Sequence, residues 1–407
     1  MPPATLPQRI LAMDVLRGLA LCGILVVNMP AFAMPTGEAF APDPRASFGD
    51  RAAWLVMAAF FETKFFALFS LLFGMGLVLQ EDRCRRSGRD FARIYPRRLA
   101  VLAFFGLAHA VLLFMGDILF VYAIVGFFLF FLRHRPPRTL LLIAALFWVF
   151  GVSLSALNLA SPEAPPGNES VSAAGGESPA PRASEDSWSA LERKAYREGP
   201  LGTTLWVNAV GFAGWLVISS LFSFNWKVVA CFFLGAALMK LGIFHAERAA
   251  WHRRLFRVAL PLGVLIQIAV HLRKLSPAGA GPSAPWIVLD EIGAALFSLG
   301  VLGALLVWTG SGRLPSLQRL LSAAGRMALT NYILQSLISA FLFRWYGLGL
   351  YERLNRMEIL ALALLVVCVQ IALSRWWLSH HRMGPLEALW RRWTYGAAAS
   401  PGSPAPG

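Results

Sequence analysis

Apolar runs of about 20 residues recur along this chain, separated by short basic loops, and that repetition leaves few folds open to it. A run of that length crosses a bilayer as a helix, and inside hydrocarbon the backbone must satisfy its own hydrogen bonds. The expected fold is therefore all-α, a polytopic transmembrane helix bundle of about ten spans set in a lipid bilayer. With 57% hydrophobic and 14% charged residues and a mean hydropathy of +0.59, a soluble globule is excluded. The net charge of +15 does not signal nucleic-acid binding, because the bases sit in short loops between spans, where the positive-inside rule places them. Cys22, Cys84, Cys231 and Cys368 are scattered without paired spacing, so neither a disulfide nor a metal site is expected. The N-terminus lacks a cleavable signal pattern, and the first span, Ile10 to Phe32, should remain as an anchor.

Charge orients the spans. The strongly basic loops Gln80–Arg98 and Arg133–Arg138 read as cytoplasmic, and between them Leu99–Met115 and Ile118–Leu132 form a hairpin turning outside at Gly116-Asp117. The acidic loop Met29–Asp50 suits the outside. Residues 161–200 form the one long polar insert, expected outside and rich in Pro, Ser and Gly, with a short surface helix at Trp188–Glu198. Leu201–Phe244 is long enough for two spans. One span plus a shallow or re-entrant piece keeps the basic run His245–Arg257 inside, and that arrangement is preferred. The remaining spans fall at Leu255–His271, Trp286–Thr309, Leu321–Phe343 and Ile359–Leu378, with both termini cytoplasmic. The chain thus divides into a five-span half over 1–160, the polar loop 161–200, a second half over 201–395 and a disordered tail 396–407.

Polar residues inside spans cost a few kcal/mol on insertion scales and need a partner or a task. Asp14, Arg17 and Asn28 of the first span fall within roughly 60° of one another on a helix, a stripe running from one surface towards the other. Arg17 can pair with Asp14 at i,i+3 or grip a phosphate in bidentate fashion. Glu62 and Lys64 interrupt Phe60–Phe73 on opposite helix faces, so Lys64 is expected to meet a carboxylate of another span, such as Glu291 or Asp290, or a substrate. Asn331 and Gln335, one turn apart, are suited to interhelical hydrogen bonds or to substrate contact. No Walker loop, Cys/His ligand set or nucleophile elbow points to an ATPase or metal enzyme.

Met13-Asp14-Val15-Leu16-Arg17-Gly18 with Asn28 resembles the YeiB-like family of bacterial inner-membrane proteins, domain of unknown function 418. So do Phe69–Gly76, Gly106-Leu107-Ala108-His109 with Gly116-Asp117-Ile118-Leu119, Leu234–Leu238, Gly325–Tyr332 and Gly384-Pro385-Leu386-Glu387 with Trp390-Arg391. These motifs follow in order along nearly the whole chain. The resemblance implies a multi-pass protein of the bacterial inner membrane.

The Asp-x-x-Arg-Gly opening is also similar to the first catalytic span of transmembrane acyltransferases, which move acyl groups onto extracytoplasmic sugars. Many of those have Arg, ten residues, then His. Here the count from Arg17 lands on Asn28. Heparan-glucosaminide acetyltransferases are similar in having Asn there but add a His in the outer loop, and this chain has none between Asn28 and the second span. An amide polarises or orients a substrate but is no general base. His109, in the middle or outer part of its span, is the candidate base, with Asp117 to orient it despite an offset of about 80° on a continuous helix.

This second resemblance implies acyl-coenzyme A as donor at Asp14 and Arg17, no tightly bound cofactor, and a small-molecule or glycan acceptor outside. A small-molecule transporter or exporter, or a non-catalytic structural or regulatory membrane protein, would use the same polar residues differently. No convincing inverted repeat favours transport.

Overall fold

The computed structural model describes residues 6–160, 187–222, 224–276 and 283–396. Among them every regular element is a helix, and the molecule is an all-α polytopic bundle. Eight helical stretches are long and apolar enough to cross a membrane, and the shorter apolar helices Leu119–Leu132 and Ala328–Phe343 accompany them. In chain order α1 is Leu6–Ala33 and α2 is Phe48–Val56, which runs on as a π-helical turn, Met57–Phe61. Then come α3 Lys64–Arg86, α4 Phe91–Leu112, α5 Leu119–Leu132, α6 Pro137–Ala160, α7 Ser187–Arg197, α8 Leu201–Leu221 and α9 Phe224–Lys240. The stretch Ala249–Lys274 is α10. The last five are α11 Ala284–Ser311, α12 Pro315–Arg326, α13 Ala328–Phe343, α14 Arg356–His380 and α15 Pro385–Tyr395.

The first span lies at the centre, against α3, α12, α13 and α14. Its crossing with α12 is close because both helices carry glycine there. A Cβ on Gly18 would run into the carbonyl of Leu321, and one on Gly325 into the carbonyl of Asp14. Gly74 of α3 and Gly235 of α9 likewise lie against the backbone of Phe232 and Leu71. Small residues let backbones approach where apolar side chains gain nothing over lipid.

The second span departs from expectation. Phe60–Phe73 is not one helix: Glu62 is extended (φ −56°, ψ 134°) and Thr63 is left-handed (φ 66°). The break leaves carbonyls of the preceding turn without helical partners. Lys64, 1% exposed, donates from Nζ to the Ala58 carbonyl at 2.7 Å, a cation closing a helix C-terminus. It forms no ion pair with Glu291 or Asp290, which are held by Lys227 at 2.9 Å and Lys274 at 2.8 Å. Leu321–Phe343 is also two helices, parted at Met327.

The stretch Leu201–Phe244 holds two helices, α8 and α9, of which α8 is the one long and apolar enough to cross a membrane. Lys240, closing α9, donates to the carbonyls of Arg133 and Arg135, so α9 ends among the basic loops. Its start, and hence the end of α8, lies at the opposite side. There α8 also begins, since Thr204 Oγ1 donates to the Ala195 carbonyl of α7 and accepts from Trp345 Nε1. By length and hydropathy α8 qualifies as a span, although its first turn packs on Ala195 and Trp345, at the end away from the basic loops. The short surface helix expected at Trp188–Glu198 forms as α7, and its inner face is docked: Glu192 is fully buried and accepts from Thr36 N (2.9 Å), Thr36 Oγ1 (2.8 Å) and Trp188 Nε1 (3.0 Å). The expectations for 161–186 and 397–407 lie outside the described residues.

Candidate functional site

His109 is the centre of the buried polar chemistry. Its α4 ends at Leu112, and the chain folds back so that Asp117 returns beneath it before α5 begins. The 80° offset of a continuous helix therefore does not apply. Imidazole Nδ1 lies 2.8 Å from Asp117 Oδ1, and both side chains are wholly enclosed. Asp117 Oδ2 accepts the Phe120 amide at 2.8 Å, which anchors the carboxylate at the N-terminal end of α5. Gly106, one turn before His109, makes this possible: a Cβ there would sit 2.7 Å from Asp117 Oδ2 and also meet the Phe120 backbone. The motif Gly106-x-x-His109 with Gly116-Asp117 is thus one local device.

On its other side, imidazole Nε2 lies 2.8 Å from Ser336 Oγ of α13. With the Nδ1 proton given to the carboxylate, Nε2 accepts from the Ser336 hydroxyl. A hydroxyl, an imidazole and a carboxylate in that hydrogen-bonded order can act as nucleophile, base and orienting group, and here they come from three separate segments. The Tyr332 ring lies 4.9 Å from the imidazole and Phe114 meets it edge-on at 6.3 Å. Phe114 stacks in turn on Phe32 of α1 at 4.4 Å.

The other expected residues take varied places. Asp14 and Arg17 form an ion pair of 3.0 Å, with Arg83 and Arg326 as further positive neighbours of Asp14. The Arg17 side chain keeps 31% exposure, so it remains reachable from the basic end. Asn28 lies on the same face of the unbroken α1, one turn before Phe32, is partly buried, and its side chain makes no hydrogen bond among the described residues. Asn331 and Gln335 join helices: Asn331 Nδ2 donates to Ser374 Oγ (2.8 Å) and the Ala324 carbonyl (3.1 Å), and Gln335 Nε2 to Gln370 Oε1 (2.9 Å). Lys64, turned to Ala58, is not brought to His109. His252, expected in a loop, is buried in α10 and, like His271, uses one ring nitrogen on a backbone carbonyl, those of Ile243 and Gln267. Ser336 was not foreseen. A lone serine in an apolar helix carries no spacing signal, and 227 residues separate it from His109.

Comparison with known proteins bears on the whole chain. Residues 238–397 match the family described as protein of unknown function (DUF418). The chain is 32% identical over 406 residues to uncharacterized protein YxaH of Bacillus subtilis, covering 97% of this chain and 96% of that one. It is 30% identical over 404 residues to uncharacterized protein YeiB of Escherichia coli, covering 96% and 97%. It is also 26% identical over 408 residues to an uncharacterized 39.9 kDa protein in the amylase 3' region of Bacillus acidopullulyticus. No solved structure matches.

Proposed function

The chain belongs to the DUF418 family of YxaH and YeiB, and from that premise we propose that this multi-pass membrane protein is an acyltransferase of the bacterial inner membrane. The observation that carries the reading is His109 held between Asp117 and Ser336 at 2.8 Å on either side. The donor is an acyl-coenzyme A entering from the cytoplasm, its phosphates meeting Arg17 and its basic neighbours, its thioester reaching towards Ser336. The acceptor is a hydroxyl compound, small molecule or glycan, arriving from outside.

Ser336 Oγ attacks the thioester carbonyl as Nε2 of His109 takes its proton, and Asp117 stabilises the imidazolium that forms. The tetrahedral adduct collapses, the carbon–sulfur bond breaks, and the departing thiolate takes the proton from Nε2. An acceptor hydroxyl then gives its proton to Nε2 and attacks the acyl-serine ester, and Ser336 leaves with that proton. Asn28, whose amide has no partner of its own among the described residues, supplies a donor to the carbonyl oxygen.

The similarity of Asp14-x-x-Arg17-Gly18 to the opening of transmembrane acyltransferases supports the same reaction class. The test is mass spectrometry of envelope glycans, lipids and acyl metabolites in a deletion strain carrying wild-type protein, His109→Ala or Ser336→Ala. Acylated species should return with wild type alone. Full return with both variants, or no acyl difference at all, removes the reading.

A further inference from the structure

Arg344 follows directly on α13, eight residues beyond Ser336, or about 12 Å further from the basic end. Its side chain is 1% exposed, yet among the described residues it forms no ion pair, and its Nε and Nη1 are buried without a hydrogen-bond partner. The guanidinium carbon lies 3.0 Å from the centre of the Tyr196 ring and 5.9 Å from that of Phe32. Tyr351, also 1% exposed, sets its ring 5.7 Å from Tyr196, and its hydroxyl is likewise buried and unpartnered. The carboxylates near by are engaged elsewhere: Glu192 by Thr36 and Trp188, Glu352 by Arg193 at 2.9 Å and Arg197 at 3.5 Å.

Stacking on aromatic rings offsets part of the cost of burying a guanidinium, but it leaves the Nε and Nη1 donors unanswered. Two unanswered nitrogens of a planar cation, Nε and Nη1, beside a free phenol, match an oxygen anion better than any neutral group. We propose that Arg344 and Tyr351 form a binding site for an anionic oxygen group, phosphate or carboxylate, carried by the acyl acceptor at the side opposite the basic loops. The word acceptor rests on the acyl-transfer reading; the anion site does not. The site lies under α7, and Phe32 forms the wall it shares with Phe114 and thus with the surroundings of His109. The acceptor accordingly presents its hydroxyl within about 12 Å of its charge, the rise from Ser336 to Arg344.

The experiment uses full-length protein in phosphatidylcholine nanodiscs and reads the thermal midpoint against inorganic phosphate, with chloride at equal ionic strength as control. A second arm replaces part of the phosphatidylcholine by phosphatidylglycerol without added phosphate. Wild type should be stabilised in at least one arm: by phosphate if the anion is soluble, by phosphatidylglycerol alone if it is a lipid headgroup. Arg344→Gln should abolish the shift, and Tyr351→Phe should need about tenfold more anion. Should Arg344→Gln fail to fold, Arg344→Lys keeps the charge without the fork and should weaken binding similarly. No wild-type shift in either arm, or an undiminished shift in the Arg344 variants, overturns the site. Acyl transfer is scored on the same preparations: a shift without transfer leaves the anion site and removes the acceptor, whereas transfer without a shift removes only the site.

Discussion

Glu387 closes the first turn of α13 through Thr330: Oε1 accepts the Leu329 amide at 2.7 Å and the Thr330 amide at 3.0 Å, while Oε2 accepts from the Thr330 hydroxyl. The tail motif thus supplies the missing N-terminal partner of α13, the helix that bears Ser336. Glu387→Ala should cost about 1–2 kcal/mol, the usual worth of a helix cap. Thr330→Val removes part of the same network, so a double-mutant cycle on thermal unfolding should be clearly non-additive.

For the reaction, His109→Ala and His109→Gln should each lower transfer by about 10²–10⁴-fold, since glutamine keeps a hydrogen bond but no basicity. Asp117→Asn should fall nearly as far, because an amide no longer demands the Nδ1 proton. The measure is acyl transfer by purified protein whose thermal midpoint is unchanged. Full activity of Asp117→Asn would exclude a tautomer-fixing role.

At the α1–α12 crossing, Gly18→Leu should prevent assembly, because its side chain would have to occupy the space of the Leu321 carbonyl. Gly37, which meets nothing within 4 Å, should accept the same change. Size-exclusion profiles in detergent separate the two outcomes.

Glu192 lends the docking of α7 a pH dependence. Burial raises its carboxyl above the ordinary 4.5, outweighing the hydrogen bonds from Thr36 and Trp188 and the field of Arg344. The docked state then holds the proton more tightly than the unfolded one, so its contribution is complete below about 4.5 and is lost as pH rises through the raised value. The wild-type thermal midpoint, relative to that of Glu192→Gln, should fall across that window. A constant difference would show that Glu192 does not titrate there.

Sidedness is open to labelling. In a Cys368→Ala background, Ala41→Cys should react with an impermeant maleimide in intact spheroplasts. Ser316→Cys, beside Arg313 and Arg319, should react only once the membrane is breached. The reverse pattern would invert the bundle.

Hydropathy and loop charge made the bundle legible in the sequence, because bilayer thickness and backbone hydrogen bonding leave an apolar run of that length few choices. Periodicity likewise revealed the Asp14–Arg17 pair, since i and i+3 are neighbours on any α-helix. It misled wherever the helix stops without warning. No proline or glycine marks the break at Glu62–Thr63, so the sequence points Lys64 to a distant carboxylate and not to the Ala58 carbonyl it meets. Asp117 was reachable only through a turn, and Ser336 and Arg344 only through tertiary packing, which one sequence does not display.

The course of α8 has a consequence for assembly. A helix whose two ends stay on one side does not change the parity of crossings, so with α8 lying that way every later segment should keep its sidedness whether α8 is present or not. Deleting Leu201–Leu221 and bridging the gap with a flexible linker should therefore leave His245–Arg257 on its native side of the membrane. Removing a crossing such as α11 would instead force the segments after it to choose between inverted insertion and a violated charge rule.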